Sequence, residues 1–195
     1  MNELTAAIVG CGKQHAEAYH LATAGRLAAC CDQFGIAARY SDLETMLREV
    51  RPDLLHIVAL PTIRWSIVEV ALRHPPRAIL IEKPLSYWPS EGYRILEACA
   101  DAGVAVFVNH QMRHRAPMCQ AREWLKQDAV GPIRHVRAKT QGRLVEHPTH
   151  LFDIVYALLG ERYALTKPDH TRSSAPVEDR AATDRKFKPT STCKR

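Results

Sequence analysis

Over roughly the first 110 residues, short apolar runs alternate with stretches of helical spacing. TAAIVG (residues 5–10) is an apolar run closed by Gly10, and HAEAYHLATAG follows with a helical pattern and Gly25 placed to cap it. RLAACCD (26–32) is a second buried-strand pattern, ending in an acid. Ser41 and Glu44 form a capping box ahead of LETMLREV. LLHIVAL (54–60) is the next strand, closed by Pro61, and IRWSIVEVALRH is an amphipathic helix. RAILIE then predicts a strand, SEGYRILEACADAG a helix ending at Gly103, and VAVFV a strand ending at Asn109. The strands are continuously apolar rather than alternating. That is the pattern of a parallel sheet covered on both faces, so the fold class is α/β and doubly wound.

After Asn109 the rhythm changes. APMCQAREWLKQ predicts a helix, GPIRHVRAKTQGR a polar-facing strand, and HPTHLFDIVYALLG a helix stopped by Gly160. Residues 163–195 are rich in Lys, Arg, Asp, Thr, Ser and Pro, and hold too little apolar surface to offset their ordering entropy, so disorder is expected there. The predicted organisation is a nucleotide-binding domain over 1–110, the incomplete start of a second α/β domain over 111–162, and a basic tail over 163–195. There is no internal repeat.

Composition narrows the class without naming it. A chain of 195 residues, 46% hydrophobic and 25% charged, is that of a globular protein with one domain and part of another. No apolar run approaches the ~20 residues of a membrane helix. The N-terminus carries an acid and no basic stretch, so a signal peptide is not expected and a cytoplasmic location is. None of the six cysteines forms a C-x-x-C pair, which points to free thiols rather than a disulfide framework or a zinc site. The net charge of +6 gathers in the tail, and nucleic acid is not the expected partner.

Three motifs carry chemistry. In G-C-G-K-Q-H, Gly10 and Gly12 follow the first strand directly, where a strand-to-helix turn brings backbone N–H groups and the helix dipole to a pyrophosphate. Tight turns also use glycine for steric reasons alone, and His15 stands in the place of a third glycine. Asp32, at the end of the second strand, suits a ribose 2′-hydroxyl and repels a 2′-phosphate, favouring NAD over NADP. Glu82-Lys83-Pro84 closes a core strand. It reads either as a solvated strand exit or as a donor and positive charge that stabilises a developing oxygen charge. In E-H-P-T-H-L-F-D (146–153), His150 and Asp153 share a helical face with Glu146 one turn upstream. A carboxylate there would orient the imidazole and raise its pKa for general-base work; a plain helix cap with a surface histidine is the alternative. Metal binding by His147, His150 and Asp153 lacks a supporting spacing, and no metal is expected. Arg113, His114 and Arg115 read as a solvated cluster, or else as contacts to an acidic or hydroxylated substrate.

Together AIVGCGKQHAEAYH, CCD, SDLETMLREVRPDLLHIVALP, ILIEKPLS, GVAVFVNHQMRHRAP, VGPIRHVRA and the H-x-x-D of HLFD resemble, in order, the glucose–fructose oxidoreductase / inositol dehydrogenase / rhizopine-catabolism (Gfo/Idh/MocA) family over roughly residues 5–160. The resemblance implies a Rossmann domain followed by an α/β domain with a large open sheet. It also implies NAD(P)-dependent oxidation of a sugar, polyol or related hydroxy compound. The family's lysine near the nicotinamide falls on Lys83, often with a cis Lys–Pro peptide. Its acid/base histidine falls on His150, its aspartate on Glu146, and Asp153 matches the acid of H-x-x-D. The candidate cofactor-binding residues are Gly10, Gly12, Lys13, Gln14, Asp32, Pro61, Glu82 and Lys83.

The chain also departs from that pattern. The glycine loop is short, the stretch between Asp32 and Ser41 leaves no room for the usual second helix, and Trp65 stands where a histidine often follows the strand-end proline. The tail looks like the product of a reading-frame change or a gene fragment. The expectations are therefore a dehydrogenase, or else a binding module or sensor that holds NAD without turnover. Self-association through an exposed apolar face of the last helix is expected in either case.

Overall fold

The computed structural model describes residues 4–10, 13–20, 25–31, 40–140 and 148–160, with side chains at all of these except positions 13, 14, 16 and 20. They lie within one compact unit, Met1–Arg162. In chain order the elements are β1 (Leu4–Val9), α1 (Lys13–His20), β2 (Gly25–Cys31), α2 (Leu43–Val50), β3 (Leu54–Ile57), α3 (Arg64–Ala71), β4 (Ala78–Glu82), α4 (Pro89–Asp101), β5 (Ala105–Asn109), α5 (Ala116–Lys126) and α6 (Pro148–Leu159). Short 3₁₀ turns at Pro61–Ile63 and Gln111–His114 follow β3 and β5.

The five strands form one parallel sheet in the order β2-β1-β3-β4-β5. Winding runs outward from β1 in one direction to β2 and in the other through β3 to β5. The reversal between β1 and β3 is a topological switch point, where sheets of this kind open a crevice at their carboxyl ends. Tyr40 makes a parallel bridge to Cys31 on the outer side of β2, a single-residue counterpart of a further strand.

The continuously apolar strands supply the core. Ile8, Leu55, Ile57, Ile79 and Ile81 are fully buried, and helices cover them with Met46 and Leu47 from α2, Val68 and Ala71 from α3, and Ile95 and Cys99 from α4. Each large aliphatic side chain so buried contributes about 1.5–3 kcal/mol relative to exposure. Coverage fails at β5. As the edge strand it leaves Phe107 57% exposed, so the sheet is not enclosed on both faces throughout. On α6, Phe152 and Tyr156, one turn apart, are about half exposed.

Three local expectations are corrected. The cap of α2 is Asp42 rather than the Ser41–Glu44 box: its carboxylate accepts from Thr45 N at 2.7 Å. Gly25 is the first residue of β2, not a helix cap; a Cβ there would come within 3.2 Å of Leu4 O. The strand expected over GPIRHVRAKTQGR is absent from the described residues 131–140, which are almost all exposed. Among the described residues no sheet neighbour pairs with them, and a strand needs its ladder. Expectations for 32–39, including the missing helix, and for the tail at 163–195 lie outside the described residues. Among the described residues, no helix is long and apolar enough to cross a membrane.

Candidate active site

The carboxyl ends of β1, β3, β4 and β5 meet on one rim, and almost every sequence-predicted site residue within the described part of the chain is on it. Gly10 follows β1 with φ 77°, in the left-handed region. Its N–H donates to Cys31 O at 3.0 Å, and a Cβ at this position would sit 2.8 Å from Ala59 N, in the backbone leaving β3. Glycine is therefore required both by conformation and by close approach. Pro61 is buried in the 3₁₀ turn just beyond.

From β4 the rim receives Glu82, Lys83 and Pro84. The Lys83–Pro84 peptide is cis. Arg64, at the start of α3 and only 2% exposed, fixes this segment. Its Nε donates to Ala59 O at 3.0 Å, and its Nη1 donates to Pro84 O and, at 3.4 Å, to Leu85 O. Burial pushes the Arg64 pKa down to about 10, against the charges of Glu82, Tyr87 and Glu91, so the guanidinium stays charged. Arg64 thus binds the segment behind the glycine turn to the segment carrying Lys83. Trp65 beside it lies under the Arg94 guanidinium, 3.8 Å from the ring centre.

Glu82 is buried and pairs across the sheet with Asn109 of β5. Its Oε1 accepts from Asn109 Nδ2 at 2.5 Å and lies 2.9 Å from His15 Nε2. Burial pushes its pKa up, but His56, Asn109 and His15 outweigh that and hold it at about 2. Glu82 is a permanent anion that organises the rim.

Behind Lys83 stand two imidazoles. His150, on α6, is buried, and its ring meets that of His110 edge-on at 5.4 Å. Both have their pKa pushed below the ordinary histidine value. For His150 the causes are burial first, then the Lys83 and His110 charges; for His110 they are burial, then Arg113 and Lys83. The carboxylate expected to raise His150 does push upward, but it is outweighed. Asp153 has another partner: Arg113 grips it with Nε to Oδ2 at 2.8 Å and Nη2 to Oδ1 at 2.5 Å. Arg113 is accordingly part of the site and not of a solvated cluster. A cleft of about 530 Å³ opens alongside, lined by the exposed flank of β5 and by Asn109, His110, Arg113, His114 and Asp153.

Gly12, Asp32, Glu146 and His147 lie outside the described residues, and of Lys13 and Gln14 only the backbone in α1 is described. His15, His56, Arg64, Asn109 and His110 were not picked out as site residues. Asn109 and His110 leave β5 just as Lys83 leaves β4, so the same positional argument applied to VNHQMRH would have found them.

A parallel sheet whose glycine turn sits at the switch point, with a lysine at the exit of β4 on the same rim, defines a Rossmann-type nucleotide-binding fold. The family model GFO_IDH_MocA, described as an oxidoreductase family with an NAD-binding Rossmann fold, matches residues 4–110, more than half of the chain. The chain belongs to that family. It is similar to D-apiose dehydrogenase of Paraburkholderia graminis, 26% identical over 139 residues, 64% of this chain and 37% of that protein. In structure it resembles an oxidoreductase from Agrobacterium radiobacter in complex with NAD+, L-tartaric acid and magnesium. The TM-score is 0.70 at 22% identity, over 82% of this chain and 55% of that one. The scyllo-inositol dehydrogenase of Lactobacillus casei with bound NAD(H) and scyllo-inositol gives 0.69 at 16% identity, over 80% and 56%. These structural likenesses show the fold. The chain spans 37% of the curated relative's length and little more than half of the solved chains'.

Proposed function

We propose that this chain carries the cofactor side and the acid/base group of an NAD-dependent oxidoreductase. Its substrate class would be a sugar, a polyol or a related hydroxy compound, in keeping with the similar scyllo-inositol dehydrogenase, which binds scyllo-inositol, and D-apiose dehydrogenase. The left-handed glycine turn directly after β1, at the switch point of the sheet, suits a strand-to-helix turn that receives a pyrophosphate. Gly10, Gly12 and the amino end of α1 would hold the pyrophosphate, and Asp32 the ribose, which favours NAD over NADP. When bound, the nicotinamide supplies the hydride acceptor.

In this reading Lys83 donates a hydrogen bond to the substrate oxygen and stabilises the negative charge that grows on it. His150, kept neutral by burial and by the Lys83 charge, takes the hydroxyl proton. Its Nδ1 is buried and has no hydrogen-bond partner among the described residues, so the ring is not already committed at that atom. Asp153 is a positioning residue: held by Arg113, it anchors the helix that presents His150. The single observation that carries the reading is the convergence of Lys83 and the His110–His150 pair on the rim that also bears Gly10.

The test is a fluorescence titration of the full chain with NADH, followed by a panel of polyols and sugars with NAD. Binding and turnover are expected in the parent. In Lys83→Met and His150→Asn, binding should remain and kcat should fall by about 10²–10⁴-fold. Tight NADH binding with no turnover on any substrate would leave the chain an NAD-holding module, and absence of binding would remove both readings.

A further inference from the structure

On the β3 side of Glu82 lie two imidazoles that the oxidoreductase reading does not use. His15 Nε2 is 2.9 Å from Glu82 Oε1, and His56 Nε2 is 3.6 Å from the same oxygen. The three atoms all lie within 4.8 Å of one another. We propose that His15, His56 and Glu82 form a binding site for one divalent transition-metal ion of the zinc type.

Three observations support the site. The donor set is two imidazole nitrogens and one carboxylate oxygen, which suits zinc or cobalt rather than the all-oxygen ligation of calcium or magnesium. Bonds of about 2.0–2.1 Å in a tetrahedral shell put neighbouring donors about 3.3 Å apart; the two separations from Glu82 fall on either side of that value, and the two imidazoles, within 4.8 Å of each other, would close on the ion by side-chain rotation. Second, the His56 side chain is only 4% exposed and its Nε2 has no hydrogen-bond partner among the described residues, although it is aimed at the carboxylate. At 3.6 Å from the carboxylate oxygen, this buried nitrogen stands beyond close hydrogen-bond distance, at a spacing that an ion bound to both atoms would bridge. Third, the supports of a metal site are in place. Tyr19 Oη lies 3.3 Å from His56 Nδ1 and can accept its proton, which leaves Nε2 as a lone pair. Asn109 donates to Glu82 Oε1 and orients the carboxylate.

The ion would enter from the side of His15, whose side chain is 29% exposed and free to make the small rotation that closes the shell. A fourth position remains for water or another oxygen ligand.

The test uses the intact chain and the metal alone. Titration with Co²⁺, read by visible absorption, should give the intense bands of four- or five-coordinate cobalt at one equivalent. Calorimetry should give the same stoichiometry of one ion per chain. His15→Gln, at a partly exposed position that does not threaten the fold, should weaken binding at least tenfold. Glu82→Gln should abolish it, and His135→Gln at an exposed position should leave it unchanged. The proposal is overturned by weak octahedral spectra alone, by thiolate charge-transfer bands, or by tight binding that survives His15→Gln. None of these outcomes depends on whether NADH binds.

Discussion

Arg113 and Asp153 meet in a two-pronged ion pair that joins the turn after β5 to the second turn of α6. The aspartate side chain is only 12% exposed, so solvent screens the pair weakly. A planar guanidinium facing a carboxylate on two bonds sets orientation as well as distance. His150 lies one turn earlier on α6, and the fork therefore governs where that imidazole stands relative to Lys83.

Asp153→Asn should cost about 1–3 kcal/mol in urea unfolding, since it leaves a partly buried guanidinium without its anion. It should also move the His150 pKa further down, because Asp153 is one of the charges now holding it up. Histidine proton resonances titrated in parent and variant would read both the direction and the assignment. A pKa that rises would contradict the charge arrangement described here.

The His150 shift has a defined sign. Its pKa in the folded chain lies below the ordinary value of about 6.5, so the unfolded chain binds the proton first as pH falls. Stability contributed by the neutral ring is present above pH ~6.5 and is lost as pH drops from there through the lowered folded value. Unfolding free energy measured across that window should decline towards acid, and the decline should shrink in His150→Asn. If turnover is found, the acid limb of kcat/KM should lie below 6.5 for the same reason.

Glu82 behaves in the opposite range. Its folded pKa of about 2 against an ordinary 4.5 makes its contribution fully present above pH 4.5 and lost between there and about 2. The size is on the order of 3 kcal/mol for a group this buried. Glu82→Gln should flatten the acid slope of stability in that interval.

Arg64→Met should be among the most damaging single changes. It removes the donor shared by the carbonyls of Ala59, Pro84 and Leu85, and buried acceptors left unpaired cost about 1–3 kcal/mol each. The urea midpoint should drop with the m-value unchanged. Loosening of the Lys83 segment should weaken NADH binding as well.

Gly10→Ala should destabilise by about 1–3 kcal/mol, because the new Cβ meets Ala59 N at 2.8 Å in a backbone conformation that disfavours side chains. NADH affinity should fall as well, since the clash displaces the turn proposed to receive the pyrophosphate.

Much of this was legible along the chain because burial on both faces writes itself as uninterrupted apolar runs. AIVG, LLHI and AILIE could only be core strands, and the helical spacing between them forced parallel crossovers. Lys83 could be singled out because a charged pair at the exit of such a run is costly unless used. His15 and His56 could not, since nothing in KQHAEAYH and LLHIVAL says that a residue of α1 and one of β3 converge on the carboxylate of Glu82. The same blindness made Asp153 look like the partner of His150, its neighbour in sequence, when Arg113, forty positions away, reaches it first.

The order of residues by itself determined the class of fold, the strands and their direction, the glycine turn and the exit of Lys83. Those follow from periodicity and chain connectivity, which are local properties. Only the tertiary structure decided the charge state of the rim: the depressed His150, the permanently ionised Glu82 and the Arg64 tie between two loops. Burial and the distance between charges set those quantities, and both arise from contacts between segments far apart in the chain.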